Sequence, residues 1–305
     1  MATPAQWIEG ARLRTLPLAI APIVAGSAAA FEYGKFMPFR AFLALLVALF
    51  LQIGVNYAND YSDGVKGTDE VRVGPLRLVG SGVAKPFHVK YAAFACFGFA
   101  MLAGLWLIIL SQQWWFLAIG ASSVFAAWGY TGGKHPYGYM GLGDLFVFVY
   151  FGLVATLGTL FTQTAHLTLS GWVFAIVMGL FSCALLMANN VRDIPTDREV
   201  GKLTMAVRLG NVWSRRVYAL EMILSLVLTA FLVPKNPWYM LTFILVGPIL
   251  HSCMVVLSGK NGKALIPVLK QAGLVALTYS VLVAVAAYLG TLSIFIPEVT
   301  YFTGY

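Results

Sequence analysis

The sequence predicts an all-α membrane protein, a bundle of nine transmembrane helices with ordered loops that cap one side. Of the 305 residues, 60% are hydrophobic and only 10% are charged, whereas soluble domains carry about 25% charged residues. The mean hydropathy of +0.81 agrees with this class. The apolar runs, such as FLALLVALFLQIGV, are continuous, which favours helices over the alternating pattern of a β-barrel. A soluble globular domain is therefore excluded.

Nine apolar segments are long enough to be membrane spans, because a transmembrane helix needs about 20 mostly apolar residues. The predicted spans cover residues 15–31, 41–58, 90–110, 114–130, 142–161, 171–189, 217–233, 238–257 and 273–295. We expect one transmembrane domain over residues 1–305, with two pseudo-repeated halves at about 1–140 and 141–305. The connections 59–89 and 190–216 are long and lie on the same side, and we expect them to be ordered caps over a cavity.

The distribution of basic residues predicts the orientation of the bundle. If the N-terminus is cytoplasmic, 17 of the 20 Lys and Arg residues lie on that side, and only Lys35, Arg40 and Lys235 lie outside. The positive-inside rule then predicts a multi-pass protein of the bacterial cell (inner) membrane, with its active site on the cytoplasmic side. This topology and anionic membrane lipid account for the net charge of +8. A nucleic-acid partner is not expected.

Acidic residues cluster behind two of the predicted spans. Asp60, Asp63, Asp69 and Glu70 follow the second span, and Asp193, Asp197 and Glu199 follow the sixth. Asn56 and Asp60 recur 133 residues later as Asn189 and Asp193, which indicates a weak internal repeat. Helical spacing puts positions 56, 60 and 63 on one face. Pro195 is expected to kink or unwind the second set.

The paired acidic clusters indicate a metal and polyphosphate site. Several carboxylates around one cavity repel each other and become protonated unless cations are present. Mg²⁺ prefers carboxylate, water and phosphate oxygens, so two Mg²⁺ ions that bridge to a diphosphate would satisfy both clusters. A single cluster is more often a solvated run of charge. Two clusters at matching positions favour the metal site.

Six segments of the chain resemble the UbiA superfamily of intramembrane prenyltransferases. NYANDYSDGVKGTD (56–69) and DIPTDREVGKLT (193–204) are similar to its two aspartate-rich motifs. More specific are ARLRTLPLA (11–19), VGPLRLVGSG (73–82), YTGGKHPYGYMGLGD (130–144) and TMAVRLG (204–210). In combination they resemble the branch of the superfamily that acts in menaquinone biosynthesis. The resemblance spans nearly the whole chain.

The resemblance implies transfer of a polyprenyl group from polyprenyl diphosphate to 1,4-dihydroxy-2-naphthoate. In this reaction Mg²⁺ binds the diphosphate, the allylic C–O bond ionises, and the naphthoate ring captures the cation and loses CO₂ to yield demethylmenaquinone. By similarity, the metal ligands are Asn56, Asp60 and either Asp63 or Asp69 for one ion, and Asp193 and Asp197 for the other. Asp60 and Asp193 are expected to be essential for catalysis.

Basic residues near these motifs are candidates to stabilise the departing diphosphate, which carries the developing negative charge. The candidates are Lys66, Arg72, Arg77, Arg192, Lys202 and Arg208. Asn189 is a further candidate for substrate binding, through its amide group. Lys134 is a further catalytic candidate. Arg12 and Arg14 are expected to meet the naphthoate carboxylate. Taken alone, each basic residue is equally well explained by membrane topology or lipid contact.

The prenyl cation requires a dry pocket with aromatic faces, because water would quench it. Tyr130, Tyr137 and Tyr139 are candidates, although an interfacial aromatic belt would use the same residue types. Asp144 at the start of the fifth span is a further catalytic candidate, expected either to accept a ring hydroxyl or to position Lys134.

Two alternative functions remain open from the residues alone. A UbiA-type prenyltransferase could use another aromatic acceptor, such as 4-hydroxybenzoate. A membrane transporter could use an acidic ion site, but transporter acids lie near mid-span at broken helices, whereas these acids lie at the inner rim. The motif Asp60-Tyr-Ser-Asp63-Gly64 also begins the pattern of CDP-alcohol phosphatidyltransferases, but the residues that follow do not continue it.

Overall fold

The computed structural model describes residues 2–67 and 76–293, and within these ranges the chain forms helices and their connections, with no β-strand. The all-α class is therefore confirmed. The helices are α1 (Pro4–Gly10), α2 (Pro17–Glu32), α3 (Pro38–Lys66), α4 (Pro86–Ser111), α5 (Phe116–Gly129), α6 (Gly143–Thr164), α7 (Leu169–Glu199), α8 (Met205–Ala230), α9 (Pro237–Leu257) and α10 (Ile266–Ser293).

Judged by helix length and composition, the described residues contain fewer membrane spans than the nine predicted. Each predicted span coincides with one helix from α2 to α10, but only six of the described stretches of helix are long and apolar enough to cross a membrane. They are α3, α4, α6, α7, α9 and Gly262–Leu292, which includes most of α10. A seventh arises if Pro4–Thr15 and α2, which meet at 48°, count as one bent span. The described residues thus form a multi-pass membrane protein, and the count of nine is not confirmed.

Helices α3 and α7 extend beyond the predicted ends of their spans. The predictions stop at residues 58 and 189, but α3 continues to Lys66 and α7 to Glu199. Hydropathy falls where the acids begin, while backbone hydrogen bonding continues through them. Pro195 does not unwind α7, which stays helical through Asp197. Most of the predicted 190–216 cap is therefore helix rather than loop.

The hydrophobic core has two main parts. One packs α2 against α7, α8, α9 and α10, and includes Phe181, Met187 and Tyr279. The other joins α3, α4 and α5 to the connection that follows α3. The small residues Ala21 and Ala25 of α2 are fully buried, which permits the close approach of neighbouring helices.

At the end opposite the acidic motifs, α3, α4 and α6 are tied together by Arg40. Its guanidinium donates to the carbonyl of Thr162 at 2.7 Å and to that of Leu110 at 2.5 Å. The amide of Met37 donates to Gln163 Oε1 at 3.0 Å. The two bonds from Arg40 satisfy backbone carbonyl groups at the C-terminal ends of α4 and α6, where such groups have no partner within their own helices.

Helix α6 contains a π-helical stretch at Phe148–Val154, and such stretches often occur at functional sites. Tyr150, Phe151 and Val154 from this stretch line the main cavity. Gly152 packs where a Cβ would lie 2.6 Å from Gly179 Cα of α7. The irregular turn thus lies between the cavity and the core.

Gly26→Ala is expected to destabilise the protein by about 1–3 kcal/mol through overpacking. A Cβ at Gly26 would collide with the backbone oxygen of Thr156 and lie 2.9 Å from Thr159 Cβ, and the backbone of α6 cannot rotate away. The thermal unfolding midpoint in detergent measures the effect. Gly98→Ala in α4 is the matched control, because no atom lies within 4 Å of its added Cβ. Equal midpoints for the two variants would contradict this packing.

Candidate functional site

A cavity of about 630 Å³ lies between the six helices α2 to α7. Its polar end is lined by Asn56, Asn59 and Asp63 of α3, by Asn189 and Asn190 of α7, and by Arg77 and Lys202 from the following connections. Its remaining wall is mostly apolar. Both predicted acidic segments therefore border one cavity at the same end of the bundle, although Asp193 and Asp197 themselves do not line it.

Asp60 holds the connection that follows α3. It is fully buried, and its two carboxylate oxygens accept the backbone N–H groups of Leu78 at 2.8 Å and Val79 at 3.0 Å. A buried carboxylate is stable only when it is hydrogen-bonded or paired. Asp60 does not line the cavity, so its predicted role as a direct metal ligand stays a prediction.

Asp63 faces the cavity from the last turns of α3. Its Oδ1 accepts the hydroxyl of Tyr139 at 2.8 Å, and its Oδ2 lies 3.7 Å from Arg77 Nη2. Asn59, one turn earlier, accepts the hydroxyl of Thr131 at 2.8 Å through its Oδ1. Asn59 is not among the site residues predicted from the sequence. It could have been found, because Asn59 and Asp63 repeat the four-residue spacing of Asn56 and Asp60.

Asn56, predicted as a metal ligand and substrate contact, lines the cavity but also holds the N-terminal segment. Its Nδ2 donates to the carbonyl of Ala11 at 2.9 Å and to Thr15 Oγ1 at 3.1 Å. Arg12 lines the same wall, on a left-handed backbone with φ of 54°. Non-glycine residues in this conformation are strained and concentrate at functional sites.

The acids at the end of α7 are paired with bases. Arg192 donates through Nε and Nη2 to the two oxygens of Asp193, both at 2.6 Å, and Nη2 also reaches Asn189 Oδ1 at 2.8 Å. Lys202 Nζ lies 3.8 Å from Asp197 Oδ1. Asp193 and Asp197 are both buried and stand one helical turn apart.

Tyr139 connects the two acidic segments. Its hydroxyl binds Asp63, its carbonyl accepts the amide of Leu203 at 3.0 Å, and its ring lies 5.0 Å from Lys66 Nζ and 5.1 Å from Lys202 Nζ. One aromatic side chain thus touches the end of α3 and the residues that follow α7. Tyr139 therefore contacts the predicted site through a hydrogen bond to Asp63 and through its ring, which lies near Lys66 and Lys202.

Tyr130 and Tyr137 line the cavity beside the acids. Their ring centroids lie 5.5 Å apart at an interplanar angle of 73°, and the Tyr137 hydroxyl donates to the carbonyl of Ala126 at 2.8 Å. Burial raises the pKa of Tyr137, so its phenol stays neutral. The two rings present aromatic surface to the cavity.

Several predicted site residues lie away from the cavity. Lys134 and Arg14 are exposed, and Asp144 is buried beyond the cavity wall, where its backbone carbonyl accepts the thiol of Cys183 at 3.2 Å. Arg208 is exposed and donates to the carbonyl of Leu203 at 3.2 Å. The structure does not bring these four residues to the cavity. Tyr139, Arg192, Asp193 and Asp197 do not line it either, although they lie near residues that do.

Lys66 stands at the rim, where Nζ donates to the carbonyl of Thr131 at 2.7 Å. Asp69 and Arg72, predicted respectively as a metal ligand and a substrate contact, lie outside the described residues.

The oxygen donors at the polar end fit Mg²⁺. Within residues 2–67 and 76–293, no three His, Cys, Asp or Glu side chains are gathered closely enough to form a metal site by themselves. Mg²⁺ commonly binds one or two carboxylates and completes its octahedral shell with water and substrate phosphate rather than with an all-protein cage. Asp63 and the amide oxygen of Asn59 line the polar end and match that kind of site. Asp193 and Asp197, on the turns of α7 that follow Asn189, do not line the cavity, so their predicted role as ligands stays a prediction.

Comparison with known proteins agrees with this architecture. Residues 19–266 match the model of the UbiA prenyltransferase family. The 1,4-dihydroxy-2-naphthoate octaprenyltransferase of Mycobacterium tuberculosis is 48% identical over 293 residues, which cover 96% of this chain and 100% of that protein. The protein of the same name from Escherichia coli is 42% identical over 253 residues, covering 80% of this chain and 82% of its own.

Solved structures show the same fold at low sequence identity. A UbiA homologue from Archaeoglobus fulgidus, solved with DMAPP and Mg²⁺, has a TM-score of 0.63 at 15% identity, over 90% of this chain and 98% of that chain. A UbiA homologue from Aeropyrum pernix K1 has a TM-score of 0.63 over the same shares. From the matched family model and the extent of the similarity, the chain belongs to the UbiA prenyltransferase family.

Proposed function

We propose that this protein transfers a polyprenyl group from polyprenyl diphosphate to 1,4-dihydroxy-2-naphthoate, with release of diphosphate and CO₂, in menaquinone biosynthesis. The observation that carries the proposal is that the two acid-bearing helices α3 and α7 border the polar end of one largely apolar cavity, which is lined by Asp63, Asn189, Arg77 and Lys202. Arg77 and Lys202 also lie beside the acids Asp63 and Asp197. The names of the two relatives, which are similar over most of both chains, support the acceptor.

The polar end is proposed to hold the diphosphate. Asn59 and Asp63 on one side and Asp193 and Asp197 on the other would hold Mg²⁺, which when bound neutralises charge on the leaving diphosphate. Arg77, Lys202 and Arg192 each lie beside one of these acids. They are therefore already positioned to turn toward phosphate oxygens. Guanidinium groups bind phosphate strongly because two N–H groups reach two oxygens at once.

In the proposed reaction the allylic C–O bond breaks, and its electron pair leaves with the diphosphate. The acceptor ring supplies the electron pair of the new C–C bond, and the ring carboxylate leaves as CO₂ with its bonding electrons returned to the ring. Tyr130 and Tyr137 offer aromatic faces that favour a nearby cation. The apolar wall beyond them excludes water, which would capture that cation.

The apolar part of the cavity is proposed to hold the prenyl chain. Leu18, Ile23, Val47, Leu51 and Val154 line this part. Burial of each CH₂ contributes about 0.8 kcal/mol relative to water, so a chain that moves from lipid into an apolar groove gains little. The diphosphate end is therefore expected to dominate affinity.

The orientation predicted from charge remains a proposal. The end of the bundle that carries the acids also carries Lys66, Arg77 and Lys202, while Arg40 ties the other end. A cytoplasmic active site in the inner membrane follows if the positive-inside rule applies. Membership of the UbiA prenyltransferase family argues against the alternative that the protein is a transporter.

Asp63→Asn and Asp193→Asn are each expected to lower kcat by at least about 100-fold, because each removes a charged oxygen donor for Mg²⁺. Initial rates in detergent at saturating Mg²⁺ measure the loss. Glu199→Gln is the control, since Glu199 is an exposed acid on the same helix as Asp193. Full turnover by either aspartate variant would refute the metal assignment.

Asp60→Asn separates the predicted catalytic role of Asp60 from its observed contacts. Asparagine cannot accept from both backbone amides through two charged oxygens, so the connection at Leu78 and Val79 should loosen and activity should fall. The added readout is thermal stability, which should fall by several degrees with Asp60→Asn but not with Asp63→Asn. A drop in activity with unaltered stability would instead favour direct metal binding by Asp60.

Arg77→Gln and Lys202→Gln are expected to raise the KM for polyprenyl diphosphate by about 10-fold or more, because hydrogen bonds to charged groups contribute about 1.5–3 kcal/mol. Steady-state kinetics at fixed acceptor concentration measure this. Lys85→Gln, an exposed lysine at the start of α4, is the control for a general loss of positive charge. An unchanged KM in both variants would argue against a diphosphate at this end.

The acceptor is tested by product mass and CO₂ release with 1,4-dihydroxy-2-naphthoate or 4-hydroxybenzoate as the sole aromatic substrate. We expect turnover with the naphthoate, with one CO₂ released per prenyl group transferred. Prenylated hydroxybenzoate as the main product, or a product that retains its carboxylate, would favour the alternative acceptor.

A further inference from the structure

A second polar cluster lies deeper in the cavity than the acids. Gln52 and Asn56 occupy successive turns of α3, and Thr15 lies opposite them at the end of the segment before α2; all three line the cavity. At 1.5 Å of rise per residue, Gln52 stands about 10 Å from Asn59 along the helix. The cluster therefore adjoins the proposed diphosphate site at Asn56 and extends from it to the apolar region through Gln52.

The hydrogen bonds of this cluster fix the orientation of both amides. Thr15 Oγ1 donates its single hydrogen to the carbonyl of Arg12 at 2.9 Å. It must then act as acceptor for Gln52 Nε2 at 2.9 Å and for Asn56 Nδ2 at 3.1 Å. Asn56 Nδ2 uses its other hydrogen on the carbonyl of Ala11. The NH₂ group of each amide thus points at the 11–15 segment.

In this orientation the side-chain oxygen of Gln52 accepts no hydrogen bond from the described residues. Gln52 is 8% exposed, and its Oε1 is buried without a hydrogen-bond partner among the described residues. A buried acceptor left unpaired costs about 1–3 kcal/mol. A prenyl chain has no hydrogen-bond donor and cannot satisfy it. A ligand with a hydroxyl group can.

We propose that Gln52 Oε1 accepts a hydrogen bond from a ring hydroxyl of the aromatic acceptor, and that Thr15 and Asn56 hold this subsite in place. The inference rests on the proposed function and adds residues that recognise the acceptor. In 1,4-dihydroxy-2-naphthoate the hydroxyl next to the carboxylate bonds internally, which leaves the 4-hydroxyl free to donate. A phenol that donates a hydrogen bond is also more electron-rich, which favours capture of the prenyl cation by the ring.

The placement agrees with the charge on the same wall. The Arg12 side chain lines the cavity and interacts electrostatically with Asp60, toward the acidic end. The backbone carbonyl of Arg12 anchors Thr15, so the side chain that is expected to meet the ring carboxylate and the amide that accepts the hydroxyl belong to one hydrogen-bonded unit. A dihydroxy aromatic acid carries both of the groups that this unit recognises.

The test compares two ligands by direct equilibrium binding in detergent, without turnover. They are 1,4-dihydroxy-2-naphthoate and 1-hydroxy-2-naphthoate, which lacks only the 4-hydroxyl. The wild type is expected to bind the dihydroxy compound about 3- to 10-fold more tightly, the range for one net hydrogen bond. Gln52→Met keeps a similar length and removes the amide. This variant should raise the Kd of the dihydroxy ligand by that factor. It should leave the Kd of the monohydroxy ligand and the KM of polyprenyl diphosphate unchanged.

Thr15→Val provides a second variant, because it removes the hydroxyl that orients both amides and leaves Gln52 in place. It should reduce the discrimination between the two ligands only in part. Gln112→Met, at an exposed position beyond the end of α4, is the control and should match the wild type.

The outcomes distinguish this inference from the proposed function. Equal weakening of both naphthoates by Gln52→Met would mean a structural role, and a change only in the KM of polyprenyl diphosphate would place the donor substrate at Gln52. No change in any constant would mean that neither substrate contacts Gln52. Each of these results overturns the inference and leaves the proposed function standing. Failure of the wild type to bind either naphthoate would overturn the proposed function and this inference with it.

Discussion

The buried carboxylate of Asp60 is the constraint on which the site depends. Its two oxygens bind the amides of Leu78 and Val79, and this fixes the connection that brings Arg77 to within 3.7 Å of Asp63. A buried charge tolerates little freedom, because each lost hydrogen bond leaves it unsolvated in a medium of low dielectric. Leu78 and Val79 are thereby held at one position beside α3.

Charge balance extends this constraint across the polar end. Asp63, Asp193 and Asp197 each lie beside a base, and Tyr139 contacts both acidic segments through its hydroxyl and its ring. Without a substrate the bases offset repulsion between the carboxylates. A diphosphate that arrives with Mg²⁺ can exchange partners with both sets of groups, so in the proposed function the polar end accepts a highly charged ligand with little rearrangement of the helices.

The cavity is graded in polarity from this end inward. Charged groups lie at the end of α3, neutral amides and a hydroxyl lie one to two turns deeper, and aliphatic side chains follow. Such an order suits a set of ligands whose charge is confined to the diphosphate and the ring carboxylate and whose prenyl tail is a hydrocarbon. The proposed specificity therefore comes from the charged groups and from the amides and hydroxyl next to them, since the prenyl tail gains little free energy on leaving lipid.

The sequence by itself determined the helical membrane class, the approximate place of each helix and the two acidic segments, because apolar composition and spacing are local properties. It placed the ends of α3 and α7 too early, since hydropathy falls at Asp60 and Asp193 while the backbone hydrogen bonds continue. It selected Asp60 over Asn59, because spacing along one helix does not reveal which face a distant connection covers.

Only the tertiary structure decided which side chains share the cavity. Asp60 binds the connection at Leu78 and Val79, Asp144 lies behind the cavity wall, and Gln52, an ordinary polar residue within an apolar run, faces inward. These outcomes depend on contacts between residues 18 to more than 70 positions apart in the chain. Such contacts are set by the packing of whole helices, which no local pattern encodes.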